Sequence, residues 1–100
     1  MQVNDSNAIG NAGSGFVAVL SGNNQVAVMN IDHCTATHNG TGITSITNGF
    51  IGTTDIAVSN STITLNNLGL LHTGNLLSRQ DNTVLANSTQ GTFSGTYNPQ

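Results

Sequence analysis

The chain is short of most of the residues that specialised chemistry uses. It has one cysteine, one proline, one tyrosine and no tryptophan in 100 residues, and only 5% of its residues are charged. Lysine and glutamate are absent, which leaves Arg79 as the single cation beside four aspartates. Each shortage excludes something. A polyanion binder displaces counterions with several Lys and Arg side chains, so one arginine excludes nucleic acid as a partner. One cysteine, Cys34, excludes an internal disulfide framework and any multi-cysteine metal site. A membrane-spanning helix needs about 18 consecutive apolar residues, whereas the longest apolar run is Phe16–Leu20. Met1 is not followed by a basic segment and an apolar core, so the reading gives no signal peptide. Polar chains that stay disordered are usually rich in charge and proline. This one is 36% hydrophobic, with many β-branched residues.

What remains is repetitive. Asn, Thr, Gly and Ser make up half the chain. Gly15-Phe16, Gly42-Ile43 and Gly69-Leu70 recur at intervals of 27 residues. The stretches before the last two, HCTATHNGTGI from His33 and NSTITLNNLGL from Asn60, superpose without a gap. The stretch from Asp5, DSNAIGNAGSGF, needs one inserted residue, and a fourth copy starts at Asp81. Asn11, Asn39, Asn66 and Asn87 align, at intervals of 28, 27 and 21.

Alternating apolar segments flank these copies: Val26–Ile31 and Ile56–Val58 before them, Phe16–Leu20 and Ile43–Ile46 after them. Period-two alternation and β-branched content predict short strands, while Asn, Gly, Thr and Ser are weak helix formers. Three short strands per unit predict an all-β fold, a β-solenoid of about four coils stacked about 4.8 Å apart. Parallel crossovers are overwhelmingly right-handed, which sets the expected hand. Stacking gives the aligned positions a meaning. Val3/Ile31/Val58, Ala8/Ala36/Ile63/Val84 and Phe16/Ile43/Leu70 become interior columns, and Ser6/Cys34/Ser61/Asn82 a column of small polar residues. The Asn column falls where the chain turns, because Asn tolerates the left-handed backbone and stacked amides can hydrogen-bond along the axis. Cys34, with no basic neighbour to lower its pKa, reads as buried and inert. Residues 1–97 read as a single domain and 98–100 as a polar tail.

The copies at His33–Ile43 and Asn60–Leu70 resemble the repeats of right-handed parallel β-helix proteins of the pectate-lyase-like superfamily. The run from Asp81 through GTFSGTY resembles the end of such domains, where the last coil gives way to a polar tail. The resemblance implies a secreted or surface-exposed protein, with polysaccharide as the substrate or ligand class, and a C-terminal portion of a longer solenoid. It does not extend to the family's catalytic residues. Lyases of this group cluster Asp around calcium beside a basic residue, and the hydrolases place several Asp on neighbouring strands. Here there is no lysine, no arginine-centred motif and no adjacent Asp pair. The chain therefore reads as a non-catalytic structural or interaction segment, without a cofactor.

The remaining candidates are few. Asp5, His33, Asn60 and Asp81 share one aligned column, which puts the two aspartates about 14 Å apart, too far to act on one glycosidic bond. Asp32, His33 and His38 offer a thin basis for a metal, because adjacent residues on a strand point to opposite faces. His72 aligns with Ser45 and is expected to be partly buried. Arg79 and Asp81 are spaced to pair on one strand face. The most regular feature is Thr35-Ala36-Thr37 beside Thr62-Ile63-Thr64. With Ala36 and Ile63 inside, Thr35, Thr37, Thr62 and Thr64 form an outward array, similar to the ice-binding faces of some antifreeze proteins. Asn7/Ile9 and Thr83/Leu85 flank it. Self-association through open solenoid ends is the other expected contact, since unpaired strand edges invite pairing.

Overall fold

The computed structural model describes residues 2–20, 22–47, 49 and 51–96; Tyr97 and the expected tail at 98–100 lie outside them. The described residues form strands and no helix. The strands run β1 (Gln2–Asn4), β2 (Asn7–Ile9), β3 (Ser14–Val19), β4 (Gln25–Asp32), β5 (Thr35–Thr37), β6 (Thr41–Ile46), β7 (Gly52–Ser59), β8 (Thr62–Thr64), β9 (Leu68–His72), β10 (Asn75–Ser78), β11 (Thr83–Leu85) and β12 (Gly95–Thr96). They fall into three sheets in rotation. The first holds β1-β4-β7-β10-β12, the second β2-β5-β8-β11 and the third β3-β6-β9. Every pairing is parallel. Three consecutive strands, one per sheet, are here termed a rung.

The expected interior columns hold in register. Val3 pairs with Ile31 and Ile31 with Val58. Ala8, Ala36, Ile63 and Val84 follow one another across the second sheet, and Phe16, Ile43 and Leu70 across the third. Ile31, Ala36, Ile43, Val58, Ile63 and Leu70 are buried, while Val3, Phe16 and Val84 are partly buried against them. A further column, Met29, Ile56 and Leu76, is absent from the sequence reading. Its third member was hidden because the chain from β9 to β10 needs only Thr73 and Gly74, against Thr47 to Ile51 between β6 and β7. That shorter corner accounts for most of the drop in repeat length. Burying each such aliphatic side chain contributes about 1.5–3 kcal/mol.

The Asn column is a continuous hydrogen-bonded ladder. The backbone N–H and Nδ2 of Asn11 donate to Oδ1 of Asn39 at 3.0 and 2.9 Å. Asn39 does the same to Asn66, at 2.9 and 3.1 Å, and Asn66 to Asn87, at 2.9 and 2.9 Å. Each Nδ2 below the first also donates back, to the carbonyl of Ala8, Ala36 or Ile63 in the rung above. Asn39, Asn66 and Asn87 are buried, so these bonds replace those that water would make and offset the cost of desolvating the amides. The recurring glycines leave the space. A Cβ on Gly15, Gly42 or Gly69 would lie 2.9, 3.0 or 2.9 Å from Nδ2 of Asn39, Asn66 or Asn87.

One expectation about this corner is corrected. The left-handed residue is not the ladder Asn but the one before it: Gly10, His38, Leu65 and Ala86, with φ between 56 and 73°. That turn swings the following amide inward over the core. A second left-handed column, Asp5, His33 and Asn60, precedes β2, β5 and β8. In the fourth rung Gln80 takes the left-handed position, because one extra residue separates Ser78 from Asn82. Asp81 therefore follows the turn, and its Oδ1 accepts the N–H of Asn60.

Asn66→Ala is expected to destabilise the chain by about 3–5 kcal/mol, because several buried partners lose their bonds together. Asn67→Ala, one residue on and exposed, should change stability by less than about 0.5 kcal/mol. Urea denaturation of both variants checks the contrast. Leu65 carries a left-handed φ of 58° that costs an ordinary L-residue about 1–2 kcal/mol. It is 51% exposed, so Leu65→Asn forfeits little burial and should raise the urea midpoint.

Candidate surface-binding face

The second sheet carries the threonine array. In β5 and β8 the middle residues Ala36 and Ile63 are buried, and the threonines on either side are half-buried. Thr35 pairs with Thr62 and Thr37 with Thr64. Thr35, Thr37, Thr62 and Thr64 therefore lie on the face of the sheet opposite the buried Ala36 and Ile63. Strand geometry spaces the four residues by about 4.8 Å between rungs and about 6.6 Å along each strand. The flanking rungs extend it unevenly: Asn7 and Thr83 continue one column, and the exposed Ile9 and Leu85 cap the other. The array is thus two threonine ranks, continued by polar residues in one column and bounded by aliphatic side chains in the other.

An open groove of about 490 Å³ adjoins the array at the Asn corner. Asn11, His38, Gly40, Leu65 and Asn67 line it. His38 turns back toward the sheet, with Nδ1 3.0 Å from Thr37 Oγ1. Hydroxyl, imidazole and amide groups therefore meet an aliphatic side chain along one corner, a mixture suited to a neutral polar ligand.

The opposite end of β5 holds a charged pair. Asp32 and His33 were expected to face apart, as neighbours on a strand do. Instead β4 ends at Asp32, and the left-handed φ of His33 brings its Nδ1 3.0 Å from Asp32 Oδ2. Asp32 Oδ1 accepts from Ser59 Oγ at 2.7 Å and Asn60 Nδ2 at 3.4 Å. These bonds hold the Asp32 carboxyl below the ordinary carboxylate value, the Ser59 bond contributing most and the His33 bond next. The bond to Asp32, then its charge, holds His33 above the ordinary histidine value, and the more distant charges of Asp5 and Asp81 add to this.

The other candidates are dispersed. Cys34 is buried and its Sγ donates to the carbonyls of Asp32 and Val3 at 3.2 and 3.4 Å. His72 is half-buried and pairs with Ser45 in the third sheet. Arg79 does not pair with Asp81. The left-handed Gln80 lies between them, Asp81 Oδ1 accepts from Asn60 N–H, and Arg79 Nε is buried without a hydrogen-bond partner. Of the three N-x-S/T asparagines, Asn39 and Asn87 lie in the ladder and Asn60 is exposed. Sequence reasoning missed the exposed aliphatic residues Val17, Val19 and Leu71 on the third sheet and Val26 and Val28 on the first. The signal was present: FVAVL and VAVM are apolar at consecutive positions, which gives apolar residues on both faces of a strand.

The Asp32–His33 contact has a defined pH signature. With His33 raised, its contribution to stability is complete below about pH 6.5 and is lost as pH rises through the folded value above that. With Asp32 lowered, its contribution is complete above pH 3.8 and is lost as pH falls through the folded value below that. Both are present between these limits. NMR titration should place the His33 midpoint above 6.5, and Asp32→Asn should move it down.

No protein-family model matches this chain, and neither does any curated protein or solved structure.

Proposed function

We propose that the chain is a non-catalytic structural or interaction segment of a right-handed β-solenoid, a parallel β-helix whose coils are the rungs described above. The observation that supports this best is the Asn ladder. It recurs at every rung and commits the buried polar side chains of one corner to the stacking itself. The small polar column supports the same reading. Cys34 N–H donates to Ser61 Oγ at 3.1 Å, and Ser61 N–H to Asn82 Oδ1 at 2.9 Å. Right-handedness follows the general rule for parallel crossovers. An extracellular setting follows the resemblance of the repeats to pectate-lyase-like β-helices.

The registered threonines favour a second reading, in which the second sheet recognises an extended neutral surface, either a polysaccharide or ice. Uncharged hydroxyls at fixed spacing suit a regular array of hydroxyl or water oxygens. Two measurements separate the readings. Affinity electrophoresis through gels containing pectin or alginate should leave the mobility unchanged if the segment is structural, and retardation would replace that reading with glycan binding. Thermal hysteresis that disappears in Thr37→Leu/Thr64→Leu would assign the face to ice.

A further inference from the structure

The two ends of the rung stack differ, and the difference specifies a partner. At the last rung the chain closes its own ladder. Asn87 Nδ2, which would donate to a fifth asparagine, donates instead to Gln90 Oε1 at 2.8 Å. The chain then crosses beneath the core. Gly69 and Leu70 N–H donate to the carbonyls of Thr89 and Gln90, and Ser94 Oγ accepts Leu76 N–H at 2.6 Å. Phe93 packs against the core, and β12 pairs with β10.

The first rung has no such closure among the described residues. Asn39, Asn66 and Asn87 each use Oδ1 to accept two N–H groups from the rung above and Nδ2 to donate to a carbonyl three residues upstream of the asparagine there. At Asn11 only the downward bonds exist; Oδ1 and the second Nδ2 hydrogen have no partner. Ser6 repeats the pattern at the other end of β2. Its Oγ donates to Asn4 O at 2.9 Å, as Ser61 Oγ donates to Ser59 O. Ser61 Oγ also accepts the N–H of Cys34 above, whereas Ser6 Oγ accepts nothing. Backbone register adds a third element. Thr35 N–H donates upward to Ser6 O and Thr41 N–H to Gly13 O. The paired positions Asn7 and Ser14 therefore aim their N–H groups at the open end. Val3 and Phe16, only partly buried, complete the surface with apolar contact.

We propose that this first-rung end is a docking site for one more parallel β-coil, and that the coil carries asparagine at the ladder position. Its Asn N–H and Nδ2 donate to Asn11 Oδ1, the carbonyl three residues before that Asn accepts from Asn11 Nδ2, and an N–H five residues before it donates to Ser6 Oγ. A second copy of this chain meets the site poorly from either side. Its last rung spends the ladder donor on Gln90, and its first rung, turned over, runs antiparallel, against the parallel pairing that all three sheets use.

The inference rests on reading the rungs as coils of a solenoid, and one experiment tests it apart from that reading. Gln2 pairs with Asn30 as Asn30 pairs with Ala57, so a copy of residues 30–56 placed directly before Gln2 supplies a coil in register. Amide exchange is then compared between the full chain and the extended chain. The Asn7 and Ser14 amides should slow by at least about tenfold on extension, as edge amides do when paired. Asn39→Ala within the added copy should reverse most of that slowing. Unchanged exchange at Asn7 and Ser14, with the Ile31, Ile56 and Ile63 amides still protected, would overturn the docking site and leave the solenoid reading intact. Free exchange at those three core amides in the unextended chain would overturn the solenoid reading and the inference with it. Protection of Asn7 that grows with concentration in the unextended chain would put a second copy on the end and overturn the proposed partner.

Discussion

A buried carboxamide that is satisfied only by its neighbours one rung away is the constraint on which this structure depends. Asn66 has 2% of its surface exposed, and its side chain bonds to Asn39 above and Asn87 below. A hydrophobic core alone tolerates a strand slipping by two residues, because the same face stays inside. An amide ladder does not, because a slip leaves several buried donors and acceptors without partners at once. The apolar columns therefore drive the strands together, and the asparagines select one register among those that apolar packing would accept.

The ladder imposes conditions on the residues around it. Every rung must turn through a left-handed residue before its asparagine. Gly10 meets that condition without strain, but Leu65 and Ala86 do so at a conformational cost. The second residue of each third-sheet strand must then lack a side chain, because the amide occupies the space where a Cβ would stand. With so little charge in the chain, these local conditions carry much of the specificity that ion pairs supply elsewhere. The single ion pair among the described residues joins neighbours in sequence, Asp32 and His33, and fixes no long-range contact.

The periodicity made much of the fold legible. Asn11, Asn39, Asn66 and Asn87 gave the ladder, and the apolar positions three residues upstream gave the interior of the second sheet. The threonine face followed from alternation alone. Less legible were features that depend on what the backbone does between columns. The sequence alignment put left-handed turns at the asparagines because asparagine favours that conformation, whereas the structure uses the preceding residue so that the amide can reach inward. The Met29/Ile56/Leu76 column was masked by a shortened corner. Arg79 and Asp81 stand either side of the left-handed Gln80, a position that no propensity marks. Candidate sites were legible only as surface texture, because a regular array of hydroxyls reports spacing and leaves the ligand unspecified.

From Ser6 to Asn11, Cys34 to Asn39, Ser61 to Asn66 and Asn82 to Asn87 the span has one fixed length. All variation in rung length falls elsewhere: one residue after Asn11, one before Asn82, and several at the corner between the third and first sheets. The ladder and the small polar column bracket a rigid hexapeptide, and the remaining connections need only return the chain to it. Insertions and deletions in such a sequence would therefore be filtered by position. Those between the two columns shift every contact downstream, while those at the third corner alter surface loops and leave the stack in phase. A lineage built on this plan could vary one edge of its surface freely while its cross-section stays the same.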